Sequence, residues 1–329
     1  MIIKPVVTIE PVRFGMDAIC TIILDDGILS TVKELYRIAA KYNIKITIAQ
    51  IIKRIDNLGI LQNMEESGRI DIISHTFNHL NMKSEDISNE ILQHEIVESK
   101  EYLEHRFRTH QIAFVPPHNQ LSDKAFQICE NHFYAIRRWK RELNFLSPKV
   151  GKEPMDWFNL GCKGIGDVNR TKERNDWVDQ CIEQRKWLIE MWHNVSEDVE
   201  HGYQTISPMD AEEHIDYICR QQDKGKLWVA SFVDATKYLL EAQTSKVIIS
   251  CVEKNKWKIC LTEGIWSKDS RFDMPLTLRL ILPSESSGIS VVGCKGGKQI
   301  IETQRIGSQN VALVDYFPEE KGLIISDLL

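Results

Sequence analysis

The residues Thr21-Ile22-Ile23-Leu24 run without interruption into Asp25, Asp26 and Gly27. An apolar, β-branched run of this kind is a strand buried on both faces, and such strands belong to sheets covered by helices. The two carboxylates then stand at the strand's end, on the rim of the sheet. Successive strand residues point to opposite faces, so Asp25 and Asp26 can do different work if Gly27 permits a sharp turn. One would hold a metal and the other handle a proton. An ordinary Asp-Asp-Gly turn accounts for the same letters.

The pattern recurs along the chain. Residues 28–42 place Val32, Leu35, Ile38 and Ala39 at helical spacing behind the capping pair Ser30-Thr31, and residues 43–51 alternate as a strand. The spacing predicts a helix over 61–68 and a strand over 69–74, which ends at His75-Thr76-Phe77-Asn78-His79. Histidines four apart reach one metal ion when they share a helical turn. With ten histidines in the chain, coincidence is the competing explanation. A long amphipathic helix is expected over 84–107, its charged face solvated.

A strand over 111–115 stops at Pro116-Pro117-His118-Asn119. After a helix over 123–130, a strand over 132–137 delivers Arg137-Arg138 to the rim, where a guanidinium could pair with a carboxylate. Stop signals at Pro148, Gly151, Pro154, Gly161, Gly164 and Gly166 predict a long loop before a helix over 171–186. His193 follows a strand over 187–192, and a helix over 210–224, a strand over 227–232 and a helix over 233–242 complete the series. Histidines 94, 105, 110, 132, 201 and 214 read as surface or packing residues.

Beyond residue 243 the pattern changes to short strands separated by turns, the signature of a small all-β, sandwich-like domain over 244–329. It carries no cluster of carboxylates or histidines. A length of 329 residues accommodates this domain beside a larger one over 1–243. The formal net charge of −6, with lysines and arginines scattered, gives no electrostatic case for nucleic acid. No apolar run is long enough for a membrane span, and the N-terminus lacks the pattern of a signal peptide. Eight dispersed cysteines without C-x-x-C spacing read as free thiols in a reducing cytoplasm.

Five strand ends thus carry Asp-Asp, His…His, Pro-Pro, Arg and His in that order, over roughly residues 15–243. The order resembles the polysaccharide deacetylases, the NodB-like superfamily that includes carbohydrate esterase family 4. Leu24-Asp25-Asp26-Gly27 is similar to the family's T-F-D-D-G, 74–79 (S-H-T-F-N-H) to its H-[ST]-x-x-H, 114–119 (F-V-P-P-H-N) to its F-R-P-P-Y-G, and 190–193 (E-M-W-H) to its closing histidine motif.

The resemblance implies an α/β fold, a distorted (β/α)-barrel of about seven strands with its site at the C-terminal rim. It also implies metal-assisted removal of an acyl group, usually acetyl, from a sugar or glycan precursor. Asp26, His75 and His79 would hold the divalent ion, Asp25 would be the base and His193 the acid. Zinc is the expected ion, with cobalt, nickel and manganese as alternatives. A homo-oligomer is compatible with this reading.

The chain also departs from the family pattern. Val115 replaces the arginine that orients the catalytic aspartate, and Arg137, on the next strand, is predicted to supply that charge to Asp25. Ile23 replaces a threonine. His118 and Asn119 replace an aromatic residue and a glycine, making the substrate side beside Pro117 more polar. Asp156-Trp157 is the nearest match to the fourth motif, with Trp157 as a pocket wall. An O-acetyl esterase, a sugar deformylase and a non-catalytic carbohydrate-binding relative remain as alternatives.

Overall fold

The computed structural model describes residues 5–138, 142–146, 155–200, 202–283, 286–293, 297–317 and 321–328. Pro148, Gly151 and Pro154 of the expected loop, His201 and Cys294 lie outside the described residues. The chain forms two compact units, Asp17–Thr236 and a second made of Met1–Met16 with Lys237–Leu329. This differs from a division after residue 243. Val6–Ile9, outside the strands expected from the sequence, pairs antiparallel with Leu278 to Ile281 and so joins the C-terminal unit.

In the larger unit, strands and helices alternate: β1 (Ala18–Leu24), α1 (Leu29–Tyr42), β2 (Ile46–Gln50), α2 (Leu58–Glu66) and β3 (Ile70–Ser74). A helical stretch α3 follows from Asn89 to Glu104, its middle segment His94–Glu98 wound as a π-helix. Then come β4 (Ala113–Phe114), α4 (Asp123–His132), β5 (Ala135–Ile136), α5 (Thr171–Gln184), β6 (Lys186–Trp192), α6 (Pro208–Asp223), β7 (Leu227–Val229) and α7 (Phe232–Thr244), inside which the two units divide. Several expected elements are shorter. The long amphipathic helix starts at Asn89, whose preceding Ser88 caps it by accepting from Ile91 N.

The strands pair in the order β5-β4-β3-β2-β1-β6, all in parallel. Both edges are met by one segment. Leu160 bridges Arg137 in parallel, and Lys163–Gly164 pairs in parallel with Glu190 and Met191 of β6. These bonds curl the sheet into a distorted barrel. Strand β7 pairs with the first half of β1, on the edge whose second half, Ile23 and Leu24, pairs with β2.

The period of two fixes what each face does. Ala18, Cys20, Ile22 and Leu24 join Ile46, Ile48, Ile70, Ile72, Leu188 and Trp192 in the core beneath the helices. Alternate positions therefore face the barrel interior, where Trp187 Nε1 donates to Thr21 Oγ1 at 2.9 Å. Continuing the alternation carries Asp25 and His193 to the interior rim side by side, because Leu24 is paired with Trp192.

The smaller unit holds two antiparallel sheets. One runs Val6–Ile9, Leu276–Leu282, Gln309–Tyr316, Gln304–Ile306, and the other Lys246–Glu253, Lys256–Thr262, Leu323–Leu328, Gly288–Val292, Lys298–Glu302. Trp257, Ile259 and Leu261 are buried while their neighbours are less so, the alternation of a sheet with one covered face.

Candidate active site

Asp25 is buried at the end of β1, its backbone N–H donating to Trp192 O at 2.8 Å. Arg137 grips its carboxylate with both arms, Nη1 to Oδ1 at 3.0 Å and Nη2 to Oδ2 at 2.8 Å. The arginine is fully buried. Since Phe114 pairs with Ile136, Val115 and Arg137 occupy matching levels on neighbouring strands. The positive charge has moved one strand sideways and still reaches the same carboxylate. Asn119 completes the cradle, its Oδ1 accepting from Arg137 Nη2 at 2.8 Å. Burial pushes the Asp25 carboxyl up, but Arg137, His75 and His193 together outweigh it and hold it below its usual range.

Asp26 faces a separate cluster. Its Oδ1 lies 3.4 Å from His79 Nε2 and 4.0 Å from His75 Nε2, and one ligand atom from each of the three residues falls within 4.8 Å of the others. The histidines do not share a helical turn. Residues 75–79 form a loop in which Thr76 and His79 take left-handed φ of 68° and 65°, and Asp26 itself has φ 70°. Such conformations cost energy and persist where surrounding structure imposes them. Buried Glu95, in the π segment of α3, fixes the loop by accepting from Asn78 N at 2.9 Å and Asn78 Nδ2 at 2.8 Å.

The donor chemistry fits a divalent cation. His75 Nδ1 hydrogen-bonds Val115 O at 2.7 Å, which assigns the ring proton to that nitrogen and leaves the Nε2 lone pair towards Asp26. Burial pushes the His75 pKa down to about 4, and burial also lowers that of His79 despite the neighbouring Asp26. Both rings are therefore neutral near pH 7, as metal ligands must be.

His193 stands opposite, its Nε2 3.9 Å from Asp25 Oδ2 and its ring edge-on to Tyr203 at 4.7 Å. Its Nδ1 is buried without a hydrogen-bond partner among the described residues. Asp156, matched to the fourth motif, is exposed. Trp157 is half-buried and its ring contact is with Trp187, 6.4 Å between centroids. Pro117 is buried, whereas His118 is exposed, with its ring 5.0 Å from that of His79.

Residues 17–136 match the polysaccharide deacetylase family model. These residues belong to that family. The chain is also similar to the family 4 domain of a multidomain xylanase from the hindgut metagenome of Trinervitermes trinervoides, with 14% identity over 66% of this chain and 89% of that one and a TM-score of 0.46. A family 4 acetyl xylan esterase from Clostridium thermocellum, in complex with a cobalt ion, gives 16% identity, 66% and 89% coverage and a TM-score of 0.46. A family 4 pseudoenzyme from Bacillus anthracis gives 14% identity, 67% and 65% coverage and a TM-score of 0.44. No curated protein sequence matches the chain.

Sequence reasoning misses several residues of this rim. Arg54, whose Nη1 lies 3.4 Å from Asp26 Oδ1, sits four residues beyond the end of β2 and carries no motif signal. Glu95 belongs to an acidic helix that reads as solvated, yet it is buried, in the segment wound as a π-helix. The role of Asn119 in holding Arg137 is equally unannounced. His214 is a packing residue of a particular kind: fully buried, it bonds Glu190 at 2.8 Å and Asn175 at 2.7 Å behind β6.

Proposed function

We propose that the Asp17–Thr236 unit is a metal-dependent hydrolase that removes an acyl group, N-acetyl foremost, from a sugar or glycan. The observation that carries the reading is the separation of two carboxylates on one rim. Asp26 joins two neutral histidines, while Asp25 is clamped by Arg137 and faces His193 at 3.9 Å. Mere binding has no need of a buried carboxylate held ionised beside a histidine, so a non-catalytic role explains less.

In this reading Asp26, His75 and His79 hold the divalent ion, zinc by the donor set and cobalt, nickel or manganese as alternatives. When bound, such an ion polarises the acyl carbonyl and acidifies water. Asp25 accepts the proton of the attacking water, and Arg137 keeps it ionised and aimed. His193 protonates the departing nitrogen, without which an amine is a poor leaving group. Asn119 and Pro117 shape the wall next to the base, with His118 at the mouth.

One observation favours an O-acyl ester as the second reading. The unpartnered Nδ1 of His193 leaves the ring without the acceptor that normally fixes an acid's tautomer, and an ester departs with less help than an amide. The seven described cysteines are free thiols, which supports a reducing, cytoplasmic setting. No described helix is long and apolar enough to cross a membrane. The C-terminal β unit has an accessory role here.

Acetate and formate release from a panel of acylated sugars, with and without chelator, tests the proposal. Release that stops with chelator, returns with metal and is lost in metal-loaded Asp25→Asn is the expected result. Unchanged hydrolysis in Asp25→Asn refutes the assignment of the base.

A further inference from the structure

Arg54 and His118 are left over once the ligand set and the Asp25 clamp are assigned. Arg54 ends the 3-10 turn Ile52–Arg54 beyond β2, and His118 lies within the turn Pro117–Asn119 beyond β4. Strands β2 and β4 flank β3, so these side chains stand on either side of the His75–His79 loop. Both approach the ligand set: the His118 ring lies 5.0 Å from that of His79, and Arg54 Nη1 lies 3.4 Å from Asp26 Oδ1. Both are exposed, as is Lys53 beside them. His118 is held at a left-handed φ of 54°.

Among the described residues Arg54 pairs with no carboxylate except Asp26, and through Oδ1, the same oxygen that faces His75 and His79. A divalent ion held there draws on that single carboxylate as well. The charge of Asp25 is already matched by Arg137. Guanidinium and ion together therefore outweigh Asp26, and a neutral sugar leaves that excess of positive charge uncompensated. An anionic substituent compensates it. The planar fork of arginine suits phosphate and carboxylate alike.

We propose that Arg54, assisted by His118, binds an anionic group on the acylated sugar, so that this site selects phosphate- or carboxylate-bearing substrates over neutral ones. The inference rests on the deacylase reading and specifies its substrate class. Because Arg54 is 48% exposed, solvent and salt weaken the attraction, and the expected preference is about tenfold rather than thousands-fold.

The test compares N-acetylglucosamine, N-acetylglucosamine 1-phosphate and N-acetylmuramic acid on the metal-loaded protein, by equilibrium binding and by acetate release. The expected result is a Kd and KM about tenfold lower for at least one charged sugar, a preference that shrinks in high salt. Arg54→Gln removes that preference and His118→Asn reduces it. The phosphate and carboxylate arms distinguish which anion is read. Equal Kd values for charged and neutral sugars, or a preference that survives in Arg54→Gln, overturn the inference. If no sugar is hydrolysed but charged sugars still bind wild type more tightly than Arg54→Gln, the deacylase reading fails and the anion site stands.

Discussion

Replacing Arg137 with Met removes the one cation among the described residues that touches both oxygens of Asp25 and leaves a carboxylate 3% exposed without its partner. Breaking a buried pair from one side typically costs about 3–5 kcal/mol. The cost depends on pH in a defined direction. In the native protein Asp25 titrates below its usual range, so the pair's contribution is complete above the unfolded carboxyl pKa and is lost as pH falls through the lower folded value. Without Arg137, burial remains the largest influence and pushes the carboxyl up. The stability gap between native and variant is therefore widest at neutral pH and narrows in acid. Urea unfolding should give a gap of roughly 3–5 kcal/mol near pH 7.5 and a smaller one near pH 3.5. Acyl release should fall by about 10²–10⁴-fold, with its acidic limb displaced to higher pH. Val115→Arg added to Arg137→Met places a guanidinium at the same level on the neighbouring strand and should recover part of both losses. A gap that is equal at the two pH values, with an unshifted acidic limb, refutes the electrostatic account.

Two further changes separate chemistry from folding. His193→Gln should slow release from an N-acetyl sugar far more than from an activated aryl acetate, whose leaving group needs no proton; equal losses on both refute an acid role. In the C-terminal unit, buried Glu241 accepts from Met274 N at 3.0 Å through one oxygen while the other has no partner among the described residues, and burial pushes its pKa up to about 8. The folded form holds a proton that the unfolded chain gives up, so native stability declines between about pH 4.5 and pH 8, by an amount on the order of a few kcal/mol. Glu241→Gln should flatten that decline in thermal unfolding, and an identical pH dependence in the two proteins counts against it.

What the sequence reveals of the site follows from strand ends. Asp25, Asp26, His75 and His193 each come directly after an apolar run, so a pattern of burial alone places them on one rim. Arg137 is legible by a subtraction: Val115 lacks a charge that a buried carboxylate needs, and the next strand offers one. The His75–His79 loop misleads, because the i, i+4 spacing of a helix and a loop with two left-handed residues bring the same atoms together. Arg54, Glu95 and Asn119 are illegible for a different reason, since their work depends on turns whose direction no local pattern records. The pairing of Val6–Ile9 with residues far along the chain is a non-local choice, and that is why a division at residue 243 misses it.

The split edge of β1 has a geometric consequence. Near its start β1 takes β7 as its neighbour on this edge and at its end it takes β2, while β6 lines the other edge throughout. Both ends of β1 are therefore held between two hydrogen-bonded partners. The strand that delivers Asp25 is tied to three others, and the place of its carboxylate is set by the sheet as a whole rather than by a single neighbour.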